Sequence, residues 1–455
     1  MDIKVKGGQI LSGEVYPSGS KNSAVHLLCA TILFDKPITL KNVPEITDVV
    51  RLVKILQKLG SKIKWDTEKN ELSIDNSKLT FKRLDREDLG NMRATSILWG
   101  ALLARFGKVN FEELPGGCTL GVRPLRPLFK SLSELGAEIH ITDSGVKMSL
   151  KRTGKKEVWL AEMSPTATTN SIMLASSFSG TTKIVGAASE PQVQDVCNLL
   201  IKGGANIKGV GSSVLEIKGG NKLKGVNHRI LSDHYEITTF LALGASTGGE
   251  VKIHNAIPEH FRIIRNEFSK FNVKINYEGT TAVVSEKQNI RINDAFENKT
   301  NVVRAQPWPA LPVDLLPIFI PLALASPNSY MMFHNWMYEA GLFWTSELNK
   351  LGAEVIMCDP HRIIVMAGRE LKGATLEAPY IIRATVSMVM AAMLSEGEST
   401  ILNADSLYRG HPNFSENLNR LGAQIEEITS SPPQVAGFPS LKKDVVSASI
   451  HPRPK

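Results

Sequence analysis

Apolar residues in this chain recur at helical spacing, stop at a glycine, and resume shortly afterwards in strict alternation. Val49, Leu52, Val53, Leu56 and Leu59 mark one stripe of an amphipathic helix. Gly60 follows at the place where a left-handed residue closes such a helix. After Gly136, the alternating Glu138-Ile139-His140-Ile141 reads as a half-buried strand.

This phrase is repeated. Clear copies stand at Leu59-Gly60-Ser61-Lys62-Ile63, Leu135-Gly136-Ala137-Glu138-Ile139, Gly203-Gly204-Ala205-Asn206-Ile207, Leu351-Gly352-Ala353-Glu354-Val355 and Leu421-Gly422-Ala423-Gln424-Ile425. A degenerate copy is Phe271-Asn272-Val273-Lys274-Ile275. The spacing, roughly 70 to 80 residues, is far longer than a solenoid repeat. A second phrase, a turn and a short alternating strand, precedes the helices. It occurs at Lys36-Pro37-Ile38-Thr39-Leu40, Gly107-Lys108-Val109-Asn110-Phe111, Gly180-Thr181-Thr182-Lys183-Ile184, Gly249-Glu250-Val251-Lys252-Ile253 and Gly397-Glu398-Ser399-Thr400-Ile401. Each follows a further apolar helical segment, such as Ile172-Met173-Leu174-Ala175.

One unit is thus helix, strand, helix, strand, with further strands. Six units divide into two domains of three. The expected first domain is residues 21–231 and carries the Cys118 loop. The second is residues 1–20 with 232–427, so that a first strand with Ile3 and Val5 joins the end of the chain. Residues 428–455, rich in Ser, Pro and Lys, read as a flexible tail.

Composition agrees with two domains, since 455 residues exceed one ordinary core. With 6% aromatic residues, the core should be aliphatic. The net charge of +8 points to anionic partners. Lys and Arg are spread along the chain, and Lys151-Arg152 and Lys155-Lys156 read as solvated turns, so small anionic ligands fit better than nucleic acid. The longest apolar run, residues 315–325, holds Pro317 and Pro321 and is shorter than the roughly 20 residues of a membrane helix. Residues 1–9 have no apolar signal core. Cys29, Cys118, Cys197 and Cys358 form no CxxC pair. The expectation is a cytoplasmic enzyme or binding protein with no membrane or nucleic-acid partner.

Three stretches carry candidate chemistry. Ser18-Gly19-Ser20-Lys21-Asn22-Ser23 is either a plain turn before a helix or a phosphate cradle with Lys21 as its charge. The loop Leu114-Pro115-Gly116-Gly117-Cys118-Thr119-Leu120-Gly121-Val122-Arg123-Pro124 sets a thiol near a cation that lowers its pKa or binds the same anion. Gln306-Pro307-Trp308-Pro309-Ala310-Leu311-Pro312-Val313-Asp314 delivers a carboxylate ahead of an apolar helix, as a helix cap or a base. Arg93 and Arg383 lie alone within apolar helical stretches, where they pair with a carboxylate or bind an anion. Arg409, before Gly410, is similar.

Together these stretches resemble the enolpyruvyl transferases over about residues 1–426, and Pro115 to Pro124 matches that family's Pro-Gly-Gly-Cys-Thr-x-Gly-x-Arg-Pro loop. The resemblance implies an α/β fold: a two-domain inside-out α/β barrel of six βαβαββ-type units, three per domain. It implies transfer of the enolpyruvyl group of phosphoenolpyruvate to a hydroxyl, with release of phosphate and with no cofactor and no metal. The branch that uses UDP-N-acetylglucosamine for peptidoglycan precursors is nearer than EPSP synthase. Lys21, Arg123, Arg383 and Arg409 would hold phosphoenolpyruvate. Cys118 would protonate its methylene carbon and Asp314 would take the hydroxyl proton, with Lys21 and Arg409 also catalytic. Asn22, Arg93, Arg123, Pro124, Leu125, Arg126, Ser164, Pro165, Asp314 and Met337 would line the acceptor site. The four arginines, Arg93, Arg123, Arg383 and Arg409, should then face one cleft with Lys21.

The chain also departs from the family. Val-Asp-Leu-His is replaced by Leu125-Arg126-Pro127-Leu128, and Lys-x-Ser-Val-Gly by Glu162-Met163-Ser164-Pro165-Thr166. Pro-Asp-Arg-Ile-Glu becomes Ser232-Asp233-His234-Tyr235-Glu236. Phe-Glu-Asn-Arg-Phe becomes Tyr338-Glu339-Ala340-Gly341-Leu342, which removes an arginine at Gly341. A related transferase with another nucleotide or sugar acceptor, and an anion-binding paralogue without turnover, are the alternative readings.

Overall fold

The computed structural model describes residues 1–89, 92–115, 124–142, 145–151, 157–293 and 301–428. Cys118, Arg123 and the tail from residue 429 lie outside the described residues.

Six sheets are formed by the described residues, and they share one plan. A central strand pairs parallel with one neighbour and antiparallel with the other, and a further antiparallel strand closes the edge. Ile38–Lys41 pairs parallel with Asn227–Arg229 and antiparallel with Glu71–Asp75, which pairs with Lys62–Asp66. Tyr330–His334 does the same with Val302–Arg304, Arg362–Met366 and Glu354–Asp359. In the three-stranded sheet around Lys108–Phe111, a single parallel bridge from Leu84 to Phe111 stands where the parallel strand runs elsewhere. The first strand, Asp2–Lys6, lies antiparallel between Glu398–Leu402 and Gln424–Ile428, so the start of the chain completes the sheet of its last unit.

The repeated glycines do what the pattern requires. Gly60, Gly136, Gly204, Gly352 and Gly422 have φ of 105°, 98°, 104°, 89° and 99°. In the degenerate copy Asn272 takes the same region at 57°, the non-glycine residue type that tolerates it best. The strand there begins later than the phrase, at Asn276–Glu278. Tyr330–His334 is a sixth copy of the second phrase that sequence reading misses, because Ser329 replaces the turn glycine, at φ 87°. The alternation in Ala137–Thr142 is also incomplete: Ile141 is 54% exposed, near the turn end of an edge strand.

Three of the helices are buried along nearly their whole length. Ile382–Leu394 is buried from Arg383 to Met393, His234–Thr247 from His234 to Ala245, and Pro165–Ala175 from Ala167 to Ala175. Strands alternate instead, as in Ile38–Lys41, where Ile38 and Leu40 face inward. Helices inside and sheets outside make an inside-out α/β barrel. Polar residues on the inner helices bond locally: Thr238 and Thr239 hydroxyls donate to the His234 and Tyr235 carbonyls at 2.6 and 2.9 Å. Asn170 accepts from the Gly100 N–H at 2.5 Å and donates to the Ser96 carbonyl at 3.1 Å.

Buried side chains form two clusters. One runs from Ala24 to Ile230; the other joins Ile3 to Val15 with Tyr235 to Ile425. The chain passes between them twice, and the two passages pair with each other. The Ser20 N–H donates to the Leu231 carbonyl at 2.7 Å, and the Asp233 N–H to the Ser18 carbonyl at 2.9 Å. Among the described residues no helix is long and apolar enough to cross a membrane.

Candidate functional site

Lys21 opens the helix Lys21–Ala30, directly after the first passage. Its ammonium lies 2.8 Å from Asp48, in the first turn of Thr47–Lys58. Arg409 ends the 3-10 helix Ala404–Arg409 in the other cluster, and its Nε lies 3.6 Å from the same carboxylate. One buried aspartate therefore draws together cations from both clusters. The Arg409 guanidinium also stacks 4.8 Å from the centre of the Tyr380 ring.

Arg383, in the first turn of Ile382–Leu394, is buried. It donates to Nε2 of His411, lies 3.9 Å from Asp233, and covers the Tyr235 ring at 4.8 Å. Asp233 caps the helix His234–Thr247 by accepting from the Tyr235 and Glu236 N–H groups, and it accepts from the Lys21 N–H at 3.2 Å. Lys21, Arg383 and Arg409 thus converge on Asp48 and Asp233, with Glu236 and Asp314 close to Arg383 and Tyr235. Burial lowers the Lys21 pKa; Asp48 opposes this and Arg409 adds to it. Burial by itself would raise the Asp48 pKa, but Lys21 and Arg409 outweigh it and hold the carboxyl below its usual range.

The other expected residues are more scattered. Arg93 directs Nη2 to the Pro124 carbonyl at 3.4 Å. Asn22 is half-buried beside Lys21. Leu125 precedes the helix Arg126–Glu134 and is half-buried, while Pro124 and Arg126 are exposed. Ser164 caps Pro165–Ala175 by accepting from the Ala167 N–H at 3.3 Å, with Pro165 at the first helical position. Met337 is 37% exposed in the loop after Tyr330–His334. Asp314 sits in the first turn of Val313–Phe319, whose capping position is Pro312, so it is not the cap. Burial raises the Tyr235 pKa and the Asp314 charge adds to the effect, which sets Asp314 beside the Arg383 group. Cys118 and Arg123 lie outside the described residues. Of the other thiols, Cys29 and Cys197 are buried, and burial pushes both pKa values up, Cys197 to about 12. Neither is a competent thiolate.

At Gly341, where the family arginine is missing, a side chain would require its neighbour to shift. A Cβ there would collide with the side-chain amide of buried Asn335, whose Oδ1 accepts from the Tyr338 N–H at 3.2 Å. Sequence reading missed Asp48 and His411. Asp48 looks like any first-turn acid of an amphipathic helix, and His411 lies outside every motif.

A cavity of about 570 Å³ opens between Met163 and the segment around Trp308, with Arg304, His334 and Trp336 on its second-cluster side. Trp308 precedes a cis proline, Pro309. The Ser189 hydroxyl donates to the Trp308 carbonyl at 3.3 Å, a contact between the two clusters. Among the described residues no group of three or more His, Cys, Asp or Glu side chains could hold a metal ion.

The sequence pattern of EPSP synthase (3-phosphoshikimate 1-carboxyvinyltransferase) matches residues 5–429. A UDP-N-acetylglucosamine 1-carboxyvinyltransferase from Bradyrhizobium diazoefficiens is 38% identical over 424 residues, covering 93% of this chain and 97% of that protein. One from Borrelia garinii subsp. bavariensis is 37% identical, covering 94% of this chain and 99% of that protein. Among solved structures, the enolpyruvyl transferase NikO from Streptomyces tendae superposes with a TM-score of 0.81 at 20% identity, over 93% of this chain and 98% of that one. EPSP synthase from Acinetobacter baumannii gives a TM-score of 0.70 at 16% identity, over 94% of this chain and 100% of that one. These two likenesses are of fold.

Proposed function

The chain belongs to the EPSP synthase family of enolpyruvyl transferases, and from that premise we propose that it transfers the enolpyruvyl group of phosphoenolpyruvate to a hydroxyl of UDP-N-acetylglucosamine, releasing phosphate in the synthesis of a peptidoglycan precursor. The observation that carries this reading is the convergence of Lys21, Arg383 and Arg409, cations from both clusters, on one buried group. Phosphoenolpyruvate, with a phosphate and a carboxylate, is the anion such a group suits. Relatives named for the UDP-N-acetylglucosamine reaction match nearly the whole chain.

In the proposed reaction Lys21 and Arg409, with Arg123, hold the phosphate, and Arg383 holds the carboxylate. Asp314 accepts the proton of the acceptor hydroxyl as its oxygen bonds to C2 of phosphoenolpyruvate. Cys118 delivers a proton to the methylene carbon. The resulting tetrahedral ketal loses a methyl proton and phosphate, restoring the double bond in the product. Asn22, Arg93, Pro124, Leu125, Arg126, Ser164, Pro165 and Met337 belong to the proposed acceptor side. Both substrates are small, phosphorylated and intracellular, so the cytoplasm is the proposed location, with no nucleic-acid or membrane partner. The proposed domains are residues 21–231 and residues 1–20 with 232–427; the two hydrophobic clusters support this division.

The test is phosphate release from phosphoenolpyruvate by the purified chain with UDP-N-acetylglucosamine present. Asp314→Asn and Cys118→Ser should each lower kcat by roughly 100-fold or more, the usual worth of a positioned acid or base. No phosphate release by the unaltered protein would refute the reading. Exposed Glu162, in place of a family lysine, favours a second acceptor of the same class, so other uridine nucleotides belong in the assay.

A further inference from the structure

The six sheets share one plan, yet one of them differs on its outer side. Along a strand, side chains alternate between the side facing the helices and the side facing solvent. In five sheets the solvent-facing row through the middle of the sheet holds a lysine: Lys64, Lys147, Lys183, Lys252 and Lys4. In the sheet around Tyr330–His334 the same row is Val302, Met332, Ile364 and Ile356, register partners on four neighbouring strands. Tyr330 and Met366 pair in the next row. The inward residues Met331, Phe333, Ile363 and Val365 are fully buried, so the outer row is surplus to the core. Ile356 and Tyr330 are exposed, and Val302, Met332, Ile364 and Met366 are half-buried. A sheet with one solvated face ordinarily alternates apolar-in and polar-out. An apolar band on the outer face marks a surface that a partner covers.

The charges around the band identify that partner. The row at its end is Arg304, His334, Arg362 and Asp359. Arg304 and Asp359 thus stand at opposite corners of the sheet with opposite charge. A twofold axis parallel to the strands, passing between Tyr330–His334 and Arg362–Met366, exchanges these corners. It sets Arg304 of each copy on Asp359 of the other. It also sets Val302 on Ile356, Met332 on Ile364 and Tyr330 on Met366. His334 falls on Arg362, which Asp359 already holds at 2.6 Å. The face is therefore complementary to itself in charge and in apolar character. Stacked sheets pack in this way, about 10 Å apart with strands within about 30° of alignment. Edge-to-edge pairing is the other symmetric route, but the register shift between Met357 and Asp359 breaks the edge strand it would need.

We infer that this face binds a second copy of the chain, forming a twofold dimer in which the two sheets stack. The inference uses nothing of the transferase reading. Strand spacing and rise give the patch roughly 300 Å². That is less than the 800 Å² or so per partner of a standard interface, so the dimer is reversible, with a Kd on the order of 10 μM.

Sedimentation equilibrium of the full chain, from about 1 to about 200 μM, is the experiment. A monomer–dimer equilibrium is expected within that range. Ile356→Glu, at an exposed position, should weaken it about tenfold or more, because it buries a charge in the apolar band. Arg304→Glu and Asp359→Lys should each weaken self-association about tenfold, since each sets like charges together at both corners. An equimolar mixture of those two variants should recover the parent's association, because opposite charges then meet at both corners. That recovery separates a lost interface from a lost fold. A parent that stays monomeric at about 200 μM would overturn the assignment. So would a dimer that Ile356→Glu leaves unchanged, or a mixture that associates no more tightly than either variant alone.

Discussion

His411 accepts from Arg383 through Nε2, so its proton must sit on Nδ1, which has no partner among the described residues. Burial keeps the ring neutral, and Arg383 and Lys21 push its pKa down further. A neutral acceptor here orients a guanidinium without cancelling its charge, as a carboxylate would. That matters where the arginine at Gly341 is missing. His411→Phe keeps the ring against Phe414, at 5.4 Å between centres, but leaves a buried guanidinium one acceptor short. The expected result is a phosphoenolpyruvate KM raised about tenfold with the acceptor KM nearly unchanged, and partial recovery in His411→Gln. A loss of thermal stability with both KM values unaltered would make His411 structural only. The sequence marked Arg383 and Arg409 because lone cations in apolar surroundings demand explanation, and Lys21 because the small residues around it can cradle a phosphate. It did not mark Asp48 or His411, because a first-turn acid and an isolated histidine are ordinary in any chain; only the tertiary approach of Thr47–Lys58 to Ala404–Arg409 gives them their setting.

At the scale of helices and strands, the fold was legible wherever a backbone demand selected one residue type. Five of the helix ends carry glycine at positive φ, and those copies are plain in the sequence. Asn272 and Ser329 meet related demands with other residues, which is why one copy looked degenerate and another went unseen. The difference has a measurable consequence. Gly352→Ala places a Cβ at φ 89° and 2.9 Å from the Glu370 carbonyl oxygen. It should cost about 1–2 kcal/mol, read as a lower urea midpoint at unchanged slope. Asn272→Gly gains backbone freedom suited to φ 57° but loses the side-chain bond to the Asn289 carbonyl at 2.8 Å. These effects oppose, so the midpoint should stay within about 0.5 kcal/mol of the parent. Asn272→Ala loses both and should cost about 1 kcal/mol or more. Equal midpoints for the two alanine variants and the parent would remove the left-handed cap as the organising demand of the repeat.

At the scale of the molecule, the two clusters are joined where residues 16–23 and 231–234 run side by side, and the anion site is fastened to that junction. Asp233 holds the Lys21 backbone and faces Arg383, and the next carboxylate, Glu236, accepts from the Ser18 N–H at 2.8 Å through Oε2. Oε1 of Glu236 is buried with no partner among the described residues, and burial followed by the nearby Asp233 charge raises the pKa from 4.5 to about 7. The folded state therefore holds this proton more tightly than the unfolded chain. The resulting stability is fully present below pH 4.5, is lost as pH rises to about 7, and stays lost above it. Over that interval the effect is on the order of 3 kcal/mol. Glu190, raised to about 7 by its own burial, adds a similar slope, so the unaltered protein alone cannot isolate Glu236. Glu236→Gln can, because glutamine keeps an acceptor for Ser18 and has no charge to bury. Its unfolding free energy should match the parent near pH 4.5 and exceed it by about 2–3 kcal/mol at pH 8. Urea unfolding at the two pH values decides the matter. An equal gain at both would trace the effect to packing, and no gain at pH 8 would mean that the Glu236 carboxylate is solvated at the junction.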